Sequence, residues 1–523
     1  MKALHEGRTL AELLRHLARE QPAKTALIFD DRKTSYGELD RHADQVAHGL
    51  AGLSVRRGDR VGYLGKNSDR YFELLFGAAR AGVALVPVNW RLAVSEVAAI
   101  LSDAGVAALF LGRGFETAAE EQGMPAGLRC ISMGSGAEER WPGFEAWRDA
   151  QSVADPGVPG EAEDTVLQMY TSGTTGLPKG VELTHRNYLA TLEAIALSRF
   201  GDIGPEAVVL VCMPVFHVAG ANIGLLGLTR GAEVVVLEEF SPTALIEIIL
   251  HYGVTWLLLV PAAILALLEH PAAATADFGS VRTLVYGASP IAEVLMLRAG
   301  RAFARAGLWQ LYGLTEATGA GTILPPEAHD AACGKLCSCG LPYPGFELRI
   351  MNPLGQPVPA GTVGELVLRS PTVMKGYWNN LEATRAAFFP GGWLRTGDAA
   401  YLDEEGYVYV QDRVKDMIVS GGENVYPAEV ENALFNHPAV ADVAVIGVPD
   451  ERWGEAVKAI VVLRPSASAS AEEIVGHARA RIAGFKLPKS VDFAEALPRN
   501  PSGKILRRLL REPYWVGRKR SVN

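Results

Sequence analysis

The sequence predicts a protein of α/β and α+β class, with packed sheets and helices first, a β-rich stretch next and a small α+β unit last. Three observations carry this. From Lys24 to about Pro87, and again after residue 180, short apolar runs alternate with amphipathic helical segments, the rhythm of largely parallel sheets covered by helices. From about residue 335 the apolar runs turn hairpin-like. After "DRVKD" (412–416) a compact mixture of helices and strands follows. At about 150 residues per domain, 523 residues make three or four structural units.

The elements follow in order. "TLAE" is a capping box of Thr9 and Glu12, and Leu10, Leu13, Leu14 and Leu17 form one helical stripe behind it. "TALIF" reads as a strand, and "SYGE" as a second capping box, Ser35 with Glu38. "DRVGYL" is a strand, "NSDRYFELLFGAARAG" a helix ending at Gly82, and "VALVPV" a strand. "AVVLVCMPVF", "AEVVVLEEF", "VTWLLLV" and "RTLVYGA" are near-continuous apolar runs, as in strands covered on both faces. The most apolar stretch, "VTWLLLVPAAILALLEH", is too short to span a bilayer, and Pro261 divides it into a strand and a helix. "FELRIM", "VGELVLRS" and "GYVYVQDR", with the turns "NPLGQ" and "DEEG", read as antiparallel hairpins. The last unit has a helix near "PAEVENALF", strands "VADVAVIGV" and "EAVKAIVVLR", a loop "PSASASA" and a helix opened by Ser470 and Glu473.

Composition narrows the function. Hydrophobic content is 49% and charged content 21%, ordinary for a soluble globular protein. A net charge of −9 argues against general nucleic-acid binding, while leaving room for a local basic site. The N-terminus has no apolar signal-peptide core, so the expected location is cytoplasmic, with peripheral membrane contact left open. Five cysteines, Cys130, Cys212, Cys333, Cys337 and Cys339, form an odd set that disfavours a disulfide framework. His329, Cys333, Cys337 and Cys339 fit no common zinc spacing. Cys337 and Cys339 alternate as strand neighbours would, so reduced, partly buried thiols are expected.

The chemistry gathers at "YTSGTTGLPKG" (170–180). A Walker A loop would place Ser or Thr after its lysine, to hold Mg²⁺. Here Gly180 follows Lys179. The loop still suits phosphate: Gly173 and Gly176 expose backbone N–H groups, Ser172, Thr174 and Thr175 add hydroxyls, and Lys179 adds charge. A strand at "VLQMY" before it and a helix near "HRNYLATLEAIALS" after it suggest strand–loop–helix, the usual setting for phosphate.

The same loop resembles that of the adenylate-forming enzymes: acyl-CoA and aryl-CoA synthetases, adenylation domains and luciferases. Further matches follow in order: "YGLTEATG" (312–319), "GELVLRSPTVMKGYWN" (364–379), "WLRTGD" (393–398), "DRVKDMIVSGGENVYPAEVE" (412–431) and "PRNPSGKILRR" (498–508). They cover nearly the whole chain, and the overall resemblance is greatest to bacterial fatty-acyl-CoA synthetases. Leu381 stands where relatives often carry proline, a difference in a surface turn.

The resemblance implies a large N-terminal AMP-binding domain over 1–412, with its β-rich subdomain at about 335–412. It further implies a hinge at 413–415 centred on Lys415, and a small mobile domain over 416–523. It implies a reaction in two halves. A carboxylate attacks the α-phosphate of ATP to give acyl-adenylate and pyrophosphate; the thiolate of coenzyme A then displaces AMP. ATP, Mg²⁺ and coenzyme A are the implied cofactors and a small-molecule carboxylic acid the partner, in a monomer or homodimer. For nucleotide binding it implies Thr171, Ser172, Gly173, Thr174, Thr175, Gly176 and Lys179 on the phosphates. Gly287, Ala288 and Ser289 ("YGAS") and Leu311, Tyr312 and Gly313 lie on the adenine side, with Tyr312 stacking. Asp398 takes the ribose hydroxyls and Arg413 touches ribose and phosphate. Thr315 contacts phosphate and Glu316 ligates Mg²⁺. Lys504 bridges the attacking carboxylate and the α-phosphate, stabilising charge that grows in the transition state. Taken alone, a lysine in a Pro/Gly loop is a solvated surface group; only its place after the other motifs changes that reading. Ser420, Gly421 and Gly422 line the coenzyme A tunnel, with Arg452 and Lys486 as candidates for its phosphates.

Phe216, His217, Ala221 and Gly313, with Val218, Ala219 and Gly287, are expected at the acyl pocket. A carboxylate is already ionised at neutral pH, so His217 orients or gates rather than acting as a base. No buried arginine is apparent in these segments, so a fatty or bulky apolar acid is expected rather than a diacid. Alternatives are an adenylation enzyme that loads a separate carrier protein, a luciferase-like oxygenase, and a non-catalytic nucleotide-binding protein. The last would need a broken charged set, and Glu316, Asp398, Arg413 and Lys504 are all present.

Overall fold

The computed structural model describes residues 9–120, 124–125, 127–134, 141–171, 178–198, 200, 203–413, 416–421, 423–479, 481–499 and 505–516. They form four sheets. In the first, the central strands Ala84–Val88, Arg60–Leu64, Val106–Leu111 and Arg129–Ser132 run parallel, and Thr165–Thr171 joins them beside Ala84–Val88. In the second, Thr25–Phe29, Glu233–Val236, Val208–Val211, Trp256–Leu259, Thr283–Gly287 and Gly307–Gly313 are parallel. The strands read as buried on both faces are so: Trp256–Leu259 and Thr283–Gly287 are buried at every residue. The early alternation conceals a split, since Thr25–Phe29 and Arg60–Leu64 belong to different sheets. One continuous apolar core nevertheless spans both. Tyr36 stitches into it, its hydroxyl donating to the Ala232 carbonyl at 2.6 Å.

The third sheet is antiparallel, with Glu347–Met351, Gly364–Arg369, Trp393–Leu402 and Val408–Arg413 adjacent in that order. The fourth, around Val440–Asp450 and Gly454–Leu463, has its own core with helices Pro427–Phe435 and Ala471–Arg479.

Local signals in the sequence explain the boundaries. Both N-terminal capping boxes form: Thr9 and Glu12 exchange hydrogen bonds, as do Ser35 and Glu38. Ser470 and Glu473 do the same before the helix Ala471–Arg479. Pro261 begins the helix Pro261–Glu269 directly after the strand Trp256–Leu259, where its missing N–H costs nothing.

Two expectations are corrected. Cys337 and Cys339 are not strand neighbours; they lie in turns and extended loop after Ala331–Cys333, where the Ser338 amide donates to the Lys335 carbonyl. The phosphate-loop motif does not sit between strand and helix. It joins strands Thr165–Thr171 and Lys179–Thr184, which pair antiparallel from Thr171 opposite Lys179. The helix His185–Leu197 starts only after the second strand, capped by Thr184. The apolar run "GVELT" is short enough to be a strand, and a helix signal close behind it hid that.

Candidate active site

Two parallel strands end side by side to frame the site. Gly287 closes Thr283–Gly287 and lies opposite Leu311 in Gly307–Gly313. A Cβ at Gly287 would come within 2.1 Å of the Leu311 carbonyl oxygen, and one at Gly313 within 2.2 Å of the Gly319 carbonyl oxygen. These positions need glycine for close backbone approach. Just beyond each strand a residue with a side chain adopts positive φ, Ala288 at 66° and Thr318 at 56°. Held left-handed backbone of this kind stores strain and concentrates at functional sites.

Three side chains converge on this edge. The Tyr312 hydroxyl donates to Asp398 Oδ2 at 2.5 Å, and Arg413 Nε sits 2.7 Å from Asp398 Oδ1. Asp398 and Arg413 are direct partners in the antiparallel register. Thr396 reinforces both, accepting the Asp398 amide on its hydroxyl and an Arg413 N–H on its carbonyl. Burial, then the Asp398 charge, pushes the Tyr312 phenol well above its ordinary range. Asp398 is 6% exposed yet, among the described residues, makes only one side-chain contact per oxygen. A carboxylate has about four lone-pair sites, so acceptor capacity remains for a vicinal diol.

Glu316 lies in the short turn Thr315–Ala317, and its Oε1 accepts the Tyr377 hydroxyl at 2.9 Å. Lys179 Nζ stands 5.0 Å from the Tyr377 ring centroid. Tyr377 pairs in register with Val181, on the strand that Lys179 begins. Tyr377 therefore connects the base of the phosphate loop to Glu316. Sequence reasoning missed it, although it stands inside the quoted motif "KGYWN"; a lone aromatic there looks like packing. Among the described residues no group of three or more His, Cys, Asp or Glu gathers to hold a metal. A single carboxylate fits Mg²⁺, an ion that takes one or two protein oxygens and fills its sphere with phosphate and water.

The residues expected at the acyl pocket also come together. His217 precedes the helix Val218–Thr229, and Val218 packs against Gly319, where a Cβ would approach its Cγ2 at 3.2 Å. Asn222 of the same helix donates to the Thr318 carbonyl at 2.8 Å. This sets the helix against the turn beyond Gly313. Ala221 is fully buried, and the Phe216 and His217 rings lie 4.7 Å apart. Among the described residues His217 Nε2, which is buried, has no hydrogen-bond partner, and burial with the nearby Arg91 charge pushes its pKa down to about 4. The imidazole is neutral at pH 7. A cavity of about 200 Å³ opens at Met213 and Pro214; Trp90, Phe240, Val260 and Ala263 line it together with Asn67, Arg91, Glu238 and Glu239, and Phe216, His217, Ala221 and Gly313 are not among its lining residues. Its walls come from five separated segments, which no single motif could show.

On the small unit, Gly421 has φ of 63° and packs on Trp453, whose Cε3 a Cβ would meet at 2.7 Å. Ser420 begins the same hairpin, opposite Glu423. Arg452 and Lys489 lie 4.7 Å and 5.5 Å from the Trp453 ring. Lys486 is engaged elsewhere, held by both oxygens of Glu429 at 2.7 Å. Ser172, Gly173, Thr174, Thr175, Gly176, Lys415, Gly422 and Lys504 lie outside the described residues.

Comparison with known proteins gives the family. A family model described as "AMP-binding enzyme" matches residues 14–378, and "AMP-binding enzyme C-terminal domain" matches 429–504. The chain is 40% identical over 533 residues to a fatty acid–[acyl-carrier-protein] ligase, ScoC, of Streptomyces coeruleorubidus, with all of each chain covered. It is 40% identical to a feruloyl-CoA synthase of an Amycolatopsis species, covering 95% of this chain and 97% of that one. The solved structure of the anthranilate CoA ligase AuaEII in complex with anthranoyl-AMP superposes with a TM-score of 0.89 at 28% identity, covering 98% of each chain. With two strand ends opened by glycine, a Tyr312–Asp398–Arg413 cluster and a carboxylate beside the phosphate-loop base, the chain belongs to the AMP-binding enzymes and is an adenylate-forming enzyme acting on a carboxylic acid.

Proposed function

We propose that the chain is an AMP-forming acyl-CoA synthetase for an apolar carboxylic acid. The observation that carries this is the alignment of Tyr312, Asp398 and Arg413 on one side with Glu316, Tyr377 and Lys179 on the other. The first group suits a nucleoside, its ribose hydroxyls donating to Asp398. The second suits a triphosphate chain. Mg²⁺ bound at Glu316 would supply charge neutralisation for the departing pyrophosphate.

In this reading a carboxylate oxygen of the acid attacks the α-phosphorus, and the bond to pyrophosphate breaks. Lys504, from the small unit beyond a hinge at 413–415, stabilises the charge that builds there. A thiolate then attacks the acyl carbon, and AMP leaves. His217, neutral and with an unpaired Nε2, orients the acid's carboxylate and needs to remove no proton. The buried apolar side chains next to it, Phe216 and Ala221, support an apolar acid. Coenzyme A is favoured as acceptor by the Gly421–Trp453 surface, where an indole with two cations suits a phosphorylated nucleotide better than a protein carrier.

The test is AMP release from ATP with a panel of acids, each offered coenzyme A or a pantetheinylated carrier protein. Acid-dependent AMP release with the coenzyme A thioester supports the proposal. Release only with the carrier transfers the acceptor role to a protein, and no release with any acid rejects the synthetase.

A further inference from the structure

Asp412 and Arg413 are neighbours on the strand Val408–Arg413, so their side chains leave opposite faces. Arg413 faces the Tyr312–Asp398 cluster. Asp412, opposite Ala399 in the same sheet and 7% exposed, faces the small unit. Its Oδ2 accepts the Ala428 amide at 3.1 Å, in the first turn of the helix Pro427–Phe435. Its Oδ1 accepts the Arg413 amide at 2.7 Å and lies 3.7 Å from Arg507 Nη1. Arg507 is held far more closely by Glu431 of the same small-unit helix, with Nη2 at 2.7 Å and 2.9 Å from the two carboxylate oxygens. One turn on, Arg511 lies 3.9 Å from Asp416.

We propose that Asp412 and Arg507 form a releasable clasp that sets the small unit's orientation against the strand presenting Arg413, making Arg507 a positioning residue for the balance between adenylation and thioester formation. This rests on the synthetase reading above.

The unequal distances are what make the clasp releasable. Removing one partner of a buried ion pair is costly because it strands the other charge. Here neither is stranded. On opening, Arg507 keeps Glu431 and Asp412 passes into water. Burial pushes the Asp412 carboxyl up to about 6 even with Arg507 lowering it, so the closed site compensates the charge incompletely. Arg507 is also tied to the segment before it. Ile505 bridges to Arg499, and the Leu506 amide donates to the Pro498 carbonyl at 2.8 Å. Movement of Arg507 relative to Asp412 is therefore movement of the body that flanks Lys504 in sequence.

The test uses the full chain as D412N, R507Q and the double variant. D412N keeps an oxygen for the Ala428 amide and removes only charge. Adenylation is read by acid-dependent ATP–pyrophosphate exchange, and thioester formation from supplied acyl-adenylate and coenzyme A. The ratio of the two rates should shift about five-fold or more, in the same sense in both single variants, with the double variant no further than either. R507K, which keeps charge, should return toward wild type; should R507Q not fold, D412N alone carries the test, with the same shift of about five-fold or more expected. A ratio within about two-fold of wild type in every variant, or shifts that multiply in the double, overturns the clasp. Wild-type chain inactive in both half-reactions would instead sink the synthetase reading.

Discussion

Tyr312 and Asp398 meet across 2.5 Å, although 86 residues separate them in the chain. One closes a strand of the parallel sheet and the other lies within a strand of the antiparallel sheet. The proposed nucleotide site is therefore a joint between two sheets, and its integrity depends on both.

Asp398→Asn removes the charge that holds Arg413 and weakens the acceptor offered to a ribose diol. Hydrogen bonds to charged groups contribute about 1.5–3 kcal/mol, so KM for ATP should rise about 10- to 100-fold. Tyr312→Phe keeps the ring and loses one hydroxyl, so its effect should stay below about 10-fold. Steady-state kinetics with varied ATP distinguishes them. Equal losses would mean that Tyr312 acts mainly through its hydroxyl.

Glu316→Gln keeps shape and the Tyr377 contact while removing the negative charge. The Mg²⁺ concentration for half-maximal adenylation should rise about 10-fold or more, a loss comparable to one charged ligand. Tyr377→Phe should move it by less than about three-fold. A Mg²⁺ titration unchanged in the Glu316 variant would remove that residue from the ion's coordination.

Much of this was legible because its signals are local. Capping boxes need four residues, Pro261 divides strand from helix by its own covalent geometry, and the charged motifs carry their chemistry in residue type. What escaped was non-local. Nothing around Tyr377 alone shows that it stands between Lys179 and Glu316, because strand pairing brings the three together. Likewise the strand Lys179–Thr184 hid behind the helix signal after it, and the walls of the cavity come from segments up to 196 residues apart, from Asn67 to Ala263.

Acid should loosen the fold at His185. Its side chain is buried, and Nδ1 accepts the Leu10 amide at 3.2 Å, anchoring the first described helix. Burial pushes its pKa down to about 4 from 6.5. A depressed folded-state value means the neutral ring's stabilisation is complete above pH 6.5 and is lost as pH falls toward 4, amounting to on the order of 3 kcal/mol. Asp412 acts oppositely, since its raised value contributes stability that fades as pH rises through about 6. Comparing urea unfolding of wild type and His185→Gln across pH 4–7 isolates the histidine. The variant should show the shallower acid slope, and parallel slopes would contradict the assignment.

We propose that adenylation on the Tyr312–Asp398–Glu316 site is completed by Lys504 from the small unit. Lys504→Ala, measured in both half-reactions, tests it most directly. Acid-dependent ATP–pyrophosphate exchange should fall by about 10²-fold or more, the scale of losing one charge-stabilising donor. Thioester formation from supplied acyl-adenylate and coenzyme A should stay within about three-fold of wild type. Equal loss of both half-reactions, or an unchanged exchange rate, would contradict it.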